Sequence, residues 1–465
     1  MNEIIIVAGL GILTLLAEIF NFKKLLMPVI IAGLGATLLI SILELQGSIS
    51  NSAMDANVLS MLDFDRFAKC FVILLTVIAL FWVLINYNYF LDESSRADHL
   101  ALILFAMVGG YCMVSYSNFV MLFLGIEILS IPMYVLAGSK KNSLRSNEAA
   151  LKYFLMGSFA TGVFLFGITL IYGTMGSFYV YDVRAKTTAT EFALTPMFTV
   201  GVVMLISALS FKVSSAPFHF WAPDVYSGAP TSVTSFMATF VKTSAIAAFI
   251  RLFYTALPFV PDNFSRIFVV LIVSSLFIGN IIAVFQTNAK RLMAYSSISH
   301  VGFMLIAILF FTQATGVKAL YFYAAAYSIT TLAAFMVIKI VAEQSEGNDN
   351  ISAFNGLVKR NPLLAGTLTI AMLSMAGIPP LSGFFAKYNM LFIALSQGYF
   401  WLVILAILAS LVGVYYYFKI VIAIFTGVSV STSSIQISFA QKIILIILTL
   451  LIIGMGLNGW VFEMI

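Results

Sequence analysis

The sequence consists mostly of long apolar runs separated by short polar connections. A helix that crosses a bilayer needs about 20 consecutive apolar residues. By that measure the sequence predicts about fourteen transmembrane helices. They lie near 4–21, 25–45, 67–90, 98–115, 118–138, 151–174, 195–218, 231–257, 264–286, 292–312, 317–341, 362–395, 398–426 and 440–462. No connection is long enough to fold as a soluble domain, so we expect an all-α polytopic membrane protein with one membrane domain over 1–465.

The composition excludes several other classes of protein. Charged residues make up 9% of the 465 residues and hydrophobic residues 62%, whereas soluble domains carry about 25% charge. This excludes an ordinary soluble enzyme, a disordered chain and a coiled coil. The formal net charge is +5, but no stretch clusters basic residues, so we expect no nucleic-acid partner. Cys70 and Cys112 lie inside apolar runs and predict neither a disulfide nor a metal site.

Lysine and arginine are distributed unevenly between the connections. Cytoplasmic loops of membrane proteins carry the excess of these residues. We therefore expect the odd-numbered connections in the cytoplasm and both termini on the outer face. The odd-numbered connections hold Lys23, Lys24, Arg96, Lys140, Lys141, Arg145, Lys290, Arg291, Lys359 and Arg360, and the even-numbered ones hold Arg66, Lys69, Arg184, Lys186, Arg266 and Lys318.

Two predicted spans contain residues that interrupt a helix, near 212–224 and near 377–387. Interior prolines remove helix hydrogen bonds, and in lipid the freed carbonyls must find other partners. Broken helices in two halves of a chain are typical of ion sites in transporters built from an inverted repeat. We therefore predict two broken helices and an inverted repeat of two helix bundles, with packing kinks as the alternative. The interrupting prolines are Pro217, Pro223, Pro379 and Pro380.

Four charged residues lie where charge is costly. Glu127 is near the centre of the fifth predicted span, Lys212 and Lys387 lie at the two breaks, and Lys242 lies inside the eighth span. An ionisable group within a membrane span indicates function by default. A structural ion pair is the alternative for Glu127, and a static counter-ion for the lysines. We expect Glu44, near a span end, to reach the headgroup region.

Other polar residues extend this set. His219 follows the first break, while His300 begins the polar part of the tenth span together with Tyr295. A histidine that titrates near neutral pH suits a proton relay, and a hydrogen-bonded core histidine is the alternative. Lys152 begins the sixth span and is either a relay member or an interfacial anchor. The sequence has no nucleotide-binding, haem, iron–sulfur or zinc pattern, so we expect no cofactor or metal in this chain.

Five motifs resemble the antiporter-like subunits of respiratory complex I. They are FLGIEILSIPMY at 123–134, ALKYF at 150–154, FKVSSAPFHFWAPDVY at 211–226, AKRLMAYSSISH at 289–300 and AGIPPLSGFFAK at 376–387. The resemblance covers nearly the whole chain. The length, the number of spans and Lys387 favour the subunit N branch of this family. Subunit L carries a long lateral helix at its C-terminus, and subunit M has glutamate at the position of Lys387.

The resemblance implies a proton-translocating membrane subunit of NADH:quinone oxidoreductase in the bacterial inner membrane. In the family, a glutamate matching Glu127 pairs with a lysine matching Lys212. Family lysines matching Lys242 and Lys387 and histidines matching His219 and His300 continue the axis from this pair. The predicted proton relay comprises Glu127, Lys152, Lys212, His219, Lys242, Lys290, Tyr295, His300 and Lys387.

The resemblance also implies a division of labour with other subunits. NAD, FMN, iron–sulfur clusters and quinone are expected in partner subunits, which include another antiporter-like subunit and small membrane subunits.

Within this chain we expect accessory helices over 1–97, half-channel bundles over 98–257 and 258–426, and a C-terminal helix over 427–465. The alternatives are a subunit of a multisubunit cation/proton antiporter and a passive assembly scaffold.

Overall fold

The structure is a computed structural model and describes residues 1–20, 26–48, 60–91, 97–189, 192–258, 260–310, 314–345, 347–427 and 434–457. Within these ranges every long element is a helix. In chain order the helices are α1 Asn2–Ile19, α2 Leu26–Leu45, α3 Arg66–Ile85, α4 Tyr87–Leu91, α5 Ala97–Ser115, α6 Phe119–Ala137, α7 Leu144–Met175, α8 Val180–Thr187, α9 Pro196–Val213, α10 Trp221–Gly228, α11 Thr231–Phe236, α12 Lys242–Arg251, α13 Val260–Val284, α14 Ala289–Leu309, α15 Ala314–Glu343, α16 Leu357–Arg360, α17 Pro362–Ala376, α18 Ser382–Ser396, α19 Phe400–Thr426 and α20 Phe439–Leu457. Two π-helical turns, Met237–Val241 and Leu252–Ala256, precede and follow α12.

The prediction of about fourteen spans is confirmed. Of the helices in the described ranges, 13 are long and apolar enough to cross a membrane. The remaining predicted span, 362–395, consists of the shorter helices α17 and α18. The end of the last predicted span, and the orienting residues Lys23, Lys24 and Arg96, lie outside the described residues.

Both predicted helix breaks are present. Helix α9 ends at Val213, and helical structure resumes only at α10. Helix α17 ends at Ala376, and the next residue, Gly377, has a φ of 87° in the left-handed region that glycine adopts without steric cost. The prolines explain both interruptions, because they lack the N–H that a continuing helix needs.

The contacts divide the chain into two compact units. The first contains Met1–Val213 and Phe240–Asp262, and the second contains Ser214–Thr239 and Asn263–Met464. The chain thus leaves the first unit at the first helix break and returns to it within the π-helical turn before α12. The predicted half-channel boundaries stay a prediction, because a division by contacts does not test a division by function.

Glycines allow α5 and α6 to approach closely in the first unit. A Cβ atom on Gly109 would lie 2.4 Å from the backbone nitrogen of Leu129, and one on Gly125 would lie 3.0 Å from that of Met113. Small residues at such crossings let helix backbones touch, which is the main source of packing energy between membrane helices. The pair positions Glu127, which lies on α6 between these contacts.

We expect Gly109→Ala to destabilise the protein, because its methyl group would force the two backbones apart. Overpacking of this kind costs about 1–3 kcal/mol. The measurement is the thermal unfolding midpoint in detergent. Gly162→Ala is the matched control, since nothing lies within 4 Å of a Cβ at that helical position. Equal midpoints for the two variants would contradict the proposed crossing.

Candidate functional site

Lys212 occupies the last turn of α9, at the first helix break. It is 8% exposed, and its ammonium group donates a hydrogen bond to the hydroxyl of Ser130 on α6. Ser130 lies three residues after Glu127, so both face the same side of that helix. Glu127 acts on Lys212 electrostatically, but its Oε1 is buried without a hydrogen bond among the described residues. The direct pairing of Glu127 with Lys212 therefore stays a prediction.

A small cavity lies beside Lys212. Its volume is about 20 Å³, and its lining includes Tyr134, Gly157, Thr161 and Phe211. A volume of this size accommodates about one water molecule. Lys212 therefore contacts the hydroxyl group of Ser130 and also lines a mostly apolar cavity.

Lys242 is the first residue of α12 and follows the π-helical turn Met237–Val241. It is 3% exposed. A π-helical turn inserts an extra residue into a helix and is frequent at functional sites. The sequence predicted the burial of Lys242 but not the irregular turn, because no proline or glycine lies within it.

Lys387 lies on α18 and contacts the second helix break. Its ammonium group donates to the carbonyl of Ala376 and to the hydroxyl of Ser410, both at 3.0 Å. It also lies 5.4 Å from the centre of the Phe303 ring, within the range of a cation–π interaction. Ala376 is the last residue of α17, so the lysine satisfies a carbonyl that the break has left without a helical partner.

His300 is held between two tyrosines in the second unit. Its Nδ1 lies 2.8 Å from the hydroxyl of Tyr323, and its Nε2 lies 3.1 Å from that of Tyr417. Tyr417 in turn lies 2.5 Å from Ser296 Oγ. Hydroxyl groups both donate and accept hydrogen bonds, so this buried network is suited to passing a proton. The sequence identified His300 but not the tyrosines, which come from other helices.

Lys290 bridges two parts of the second unit. Its ammonium group donates to the carbonyl of Ala229 at 3.0 Å and lies 3.3 Å from Asp349 Oδ2. Tyr295, five residues further along α14, is also buried. His219 lies in the first break, is 4% exposed, and its Nδ1 has no hydrogen-bond partner in the described part of the chain.

Lys152 differs from the other candidates. Its side chain is 40% exposed and forms an ion pair with Glu148 at 2.7 Å, one turn earlier on α7. This position favours the interfacial anchor that was the alternative for Lys152.

No group of three metal-ligating side chains is found in the described ranges.

One known protein family matches most of the chain. The family described as "NADH:quinone oxidoreductase/Mrp antiporter, TM" matches residues 117–413. NADH-quinone oxidoreductase subunit N of Cytophaga hutchinsonii is 42% identical over 458 residues, 98% of this chain and 97% of the relative. The chain belongs to the NADH-quinone oxidoreductase subunit N family. The same protein of Flavobacterium psychrophilum is 41% identical and covers 98% of each chain.

Solved structures agree with membership of the subunit N family. A chain of respiratory complex I from Thermus thermophilus with bound aureothin has a TM-score of 0.82 at 31% identity, over 98% of this chain and 97% of that one. A chain of the Mrp complex from Dietzia has a TM-score of 0.87 at 21% identity, over 99% and 95%. At that identity, the second likeness shows the shared fold alone.

Two buried polar groups of this subunit N family member were not expected from the sequence. Glu44 is 4% exposed, accepts a hydrogen bond from Asn2 at 2.9 Å and lies 3.8 Å from Lys69 Nζ. The expectation that it reaches the headgroup region was wrong, because these partners hold it between helices. Arg251 is 1% exposed and forms an ion pair with Asp65 at 2.9 Å.

Arg251 is a structural clamp in the first unit. Its guanidinium group also donates to the carbonyls of Tyr116 and Asp63, at 3.0 and 3.2 Å. These contacts join the end of α12 to the segments that begin α3 and follow α5. The planar group uses several donors at once, which favours a fixed structural role.

We expect Arg251→Met to destabilise the protein by about 3 kcal/mol, because it leaves Asp65 and two carbonyls without their partner. The measurement is the thermal unfolding midpoint of the purified protein. Lys339→Met is the control, since Lys339 pairs with the exposed Glu343 one turn away at 3.8 Å. A decrease in the unfolding midpoint no larger than that of the control would contradict the structural role of Arg251.

Proposed function

We propose that this chain is the proton-translocating subunit N of an NADH:quinone oxidoreductase in a bacterial inner membrane. The observation that carries this proposal is the burial of three lysines within apolar helices. Lys212, Lys242 and Lys387 are 8%, 3% and 8% exposed. Charged groups at such positions are costly and are retained for a function.

The partners of these lysines support a role in proton transfer. Lys212 and Lys387 both donate to neutral oxygen atoms. An ammonium group held by neutral acceptors can lose its proton without leaving a bonded carboxylate unpaired. A buried ion pair, by contrast, strongly resists loss of either charge. We infer that each lysine alternates between its protonated and neutral forms during turnover.

In the first unit, we propose that Glu127 controls the charge of Lys212. The carboxylate favours the ammonium form of the lysine by electrostatic attraction. A change of charge in a neighbouring subunit that weakens this attraction would release the proton. In the second unit, His300 and its two tyrosines are the proposed carriers toward Lys387, and Lys290 and Tyr295 are proposed as supporting members of the relay.

The redox chemistry is proposed to lie in other subunits. NAD, FMN, iron–sulfur clusters and quinone would be bound there, together with another antiporter-like subunit and small membrane subunits as partners. We further propose that both termini face the outside of the cell, following the distribution of lysine and arginine.

The relatives favour this function over that of a cation/proton antiporter. The curated relatives at 41–42% identity over nearly the full chain carry the subunit N name, whereas the Mrp likeness is at 21%. Sodium-dependent transport in vesicles would support the antiporter instead. Wild-type pumping after joint removal of the buried charges would support a passive scaffold.

We expect Lys212→Met and Glu127→Gln to suppress NADH-driven proton pumping in the assembled complex. Removing a positioned proton carrier should lower coupled turnover about tenfold. The measurement is the number of protons translocated per NADH in inverted membrane vesicles. Lys141→Met, at an exposed connection, is the control. A wild-type ratio in an assembled Lys212→Met complex would overturn the proposal for the first unit.

Lys387→Arg tests whether Lys387 must lose its proton. An arginine keeps the charge but cannot be deprotonated in a protein, so we expect assembly without pumping. Lys387→Met should lose proton pumping to the same extent. The control is Lys359→Arg, at an exposed position. If Lys387→Arg pumps as the wild type does, then Lys387 is a static charge and not a carrier.

A further inference from the structure

A row of hydroxyl groups beside Lys212 has no role in the function described above. The hydroxyl of Ser130 accepts a hydrogen bond from Lys212. Tyr134 lies one turn further along α6, on the same face as Ser130, and lines the cavity beside Lys212 together with Thr161 on α7. Lys212, Ser130, Tyr134 and Thr161 therefore form a row of polar side chains within the first unit.

The small cavity lies along this row. Lys212, Tyr134 and Thr161 all line it, and its volume of about 20 Å³ accommodates about one water molecule. Tyr134 and Lys212 thus border the same cavity.

The packing around Tyr134 leaves room for its hydroxyl group. A Cβ atom on Gly157 would lie 2.2 Å from Tyr134 Oη, so only glycine fits at that position of α7. The ring itself packs edge-on against Tyr153, with centroids 4.7 Å apart. A phenylalanine would make the same ring contact. The same Cβ would lie 2.7 Å from Cζ and 2.9 Å from Cε1 of Tyr134, so the absence of a side chain at Gly157 makes room for the whole phenol edge, ring and hydroxyl together.

We propose that Tyr134 is a proton-transfer residue that connects the cavity to Lys212. This inference rests on the proposed function, since it supplies the proton that Lys212 carries. A hydronium ion in the water-sized cavity gives a proton to Tyr134 Oη and becomes water, and the original Tyr134 O–H bond breaks as its proton passes to Ser130 Oγ. Ser130 likewise passes its own proton to the neutral amine of Lys212. Each hydroxyl gains one proton and loses one, so only Lys212 ends with an added charge.

Glu127 is placed to assist this transfer. Its charge acts on both Tyr134 and Lys212. A carboxylate stabilises the positive charge that passes along the row. The other titratable side chain packed against Tyr134 is Tyr153, which does not line the cavity.

The test compares Tyr134→Phe with Tyr153→Phe in the assembled complex. Both variants remove one hydroxyl and keep both rings of the edge-on pair. We expect Tyr134→Phe to lower proton-coupled NADH:quinone turnover about tenfold and to raise the solvent deuterium isotope effect on that rate. Tyr153→Phe should leave both quantities at wild-type values. Identical behaviour of the two variants would overturn the proposal.

Thr161→Val provides a second test if Tyr134→Phe fails to assemble. It removes the hydroxyl next to Tyr134 while keeping the shape of the side chain, and we expect a higher solvent isotope effect in this variant too. A wild-type isotope effect would overturn the proposal.

Lys212→Met distinguishes a failure of the role proposed for Tyr134 from a failure of the function proposed for the first unit. If it abolishes pumping while Tyr134→Phe is normal, only the role of Tyr134 fails. If Lys212→Met pumps normally, the proposed function of the first unit fails as well.

Discussion

The central constraint on this structure is the free-energy cost of leaving a polar group without a hydrogen bond in an apolar interior. A broken helix exposes carbonyls, and a buried lysine exposes N–H donors. At Lys387 one hydrogen bond satisfies both groups, because the ammonium group donates to the Ala376 carbonyl at the end of α17. Lys290 does the same for the carbonyl of Ala229 between α10 and α11. The helix breaks therefore create the acceptors that allow lysines to be buried.

The choice of cation separates fixed from exchangeable charge. Arg251 has a carboxylate and two carbonyls as partners and stays charged at any physiological pH. Lys212 and Lys387 have hydroxyl and carbonyl partners, which hold the side chain without supplying an opposite charge. The same chain thus uses an arginine where charge maintains structure and lysines where the charge is proposed to change.

The sequence predicted the features that depend on local composition. Prolines at 217, 223, 379 and 380 located both helix breaks, and isolated charges in apolar runs located Lys212, Lys242 and Lys387. It did not predict features that depend on contacts between distant segments. His300 bonds Tyr417, which lies 117 residues away, and Arg251 bonds Asp65 at a separation of 186. The burial of Glu44 was missed for the same reason, because its partners Asn2 and Lys69 come from other helices.

Hydroxyl groups distinguish the proposed carriers from mere anchors. A carbonyl can only accept a hydrogen bond, so it fixes a lysine in place, whereas a hydroxyl both donates and accepts. Lys212 contacts Ser130, and Lys387 contacts Ser410 as well as a carbonyl. His300 likewise lies between two phenol groups. Because each unit places a hydroxyl against its buried base, the proposed proton exchange can run along fixed heavy atoms, and the proposal requires no movement of the surrounding helices.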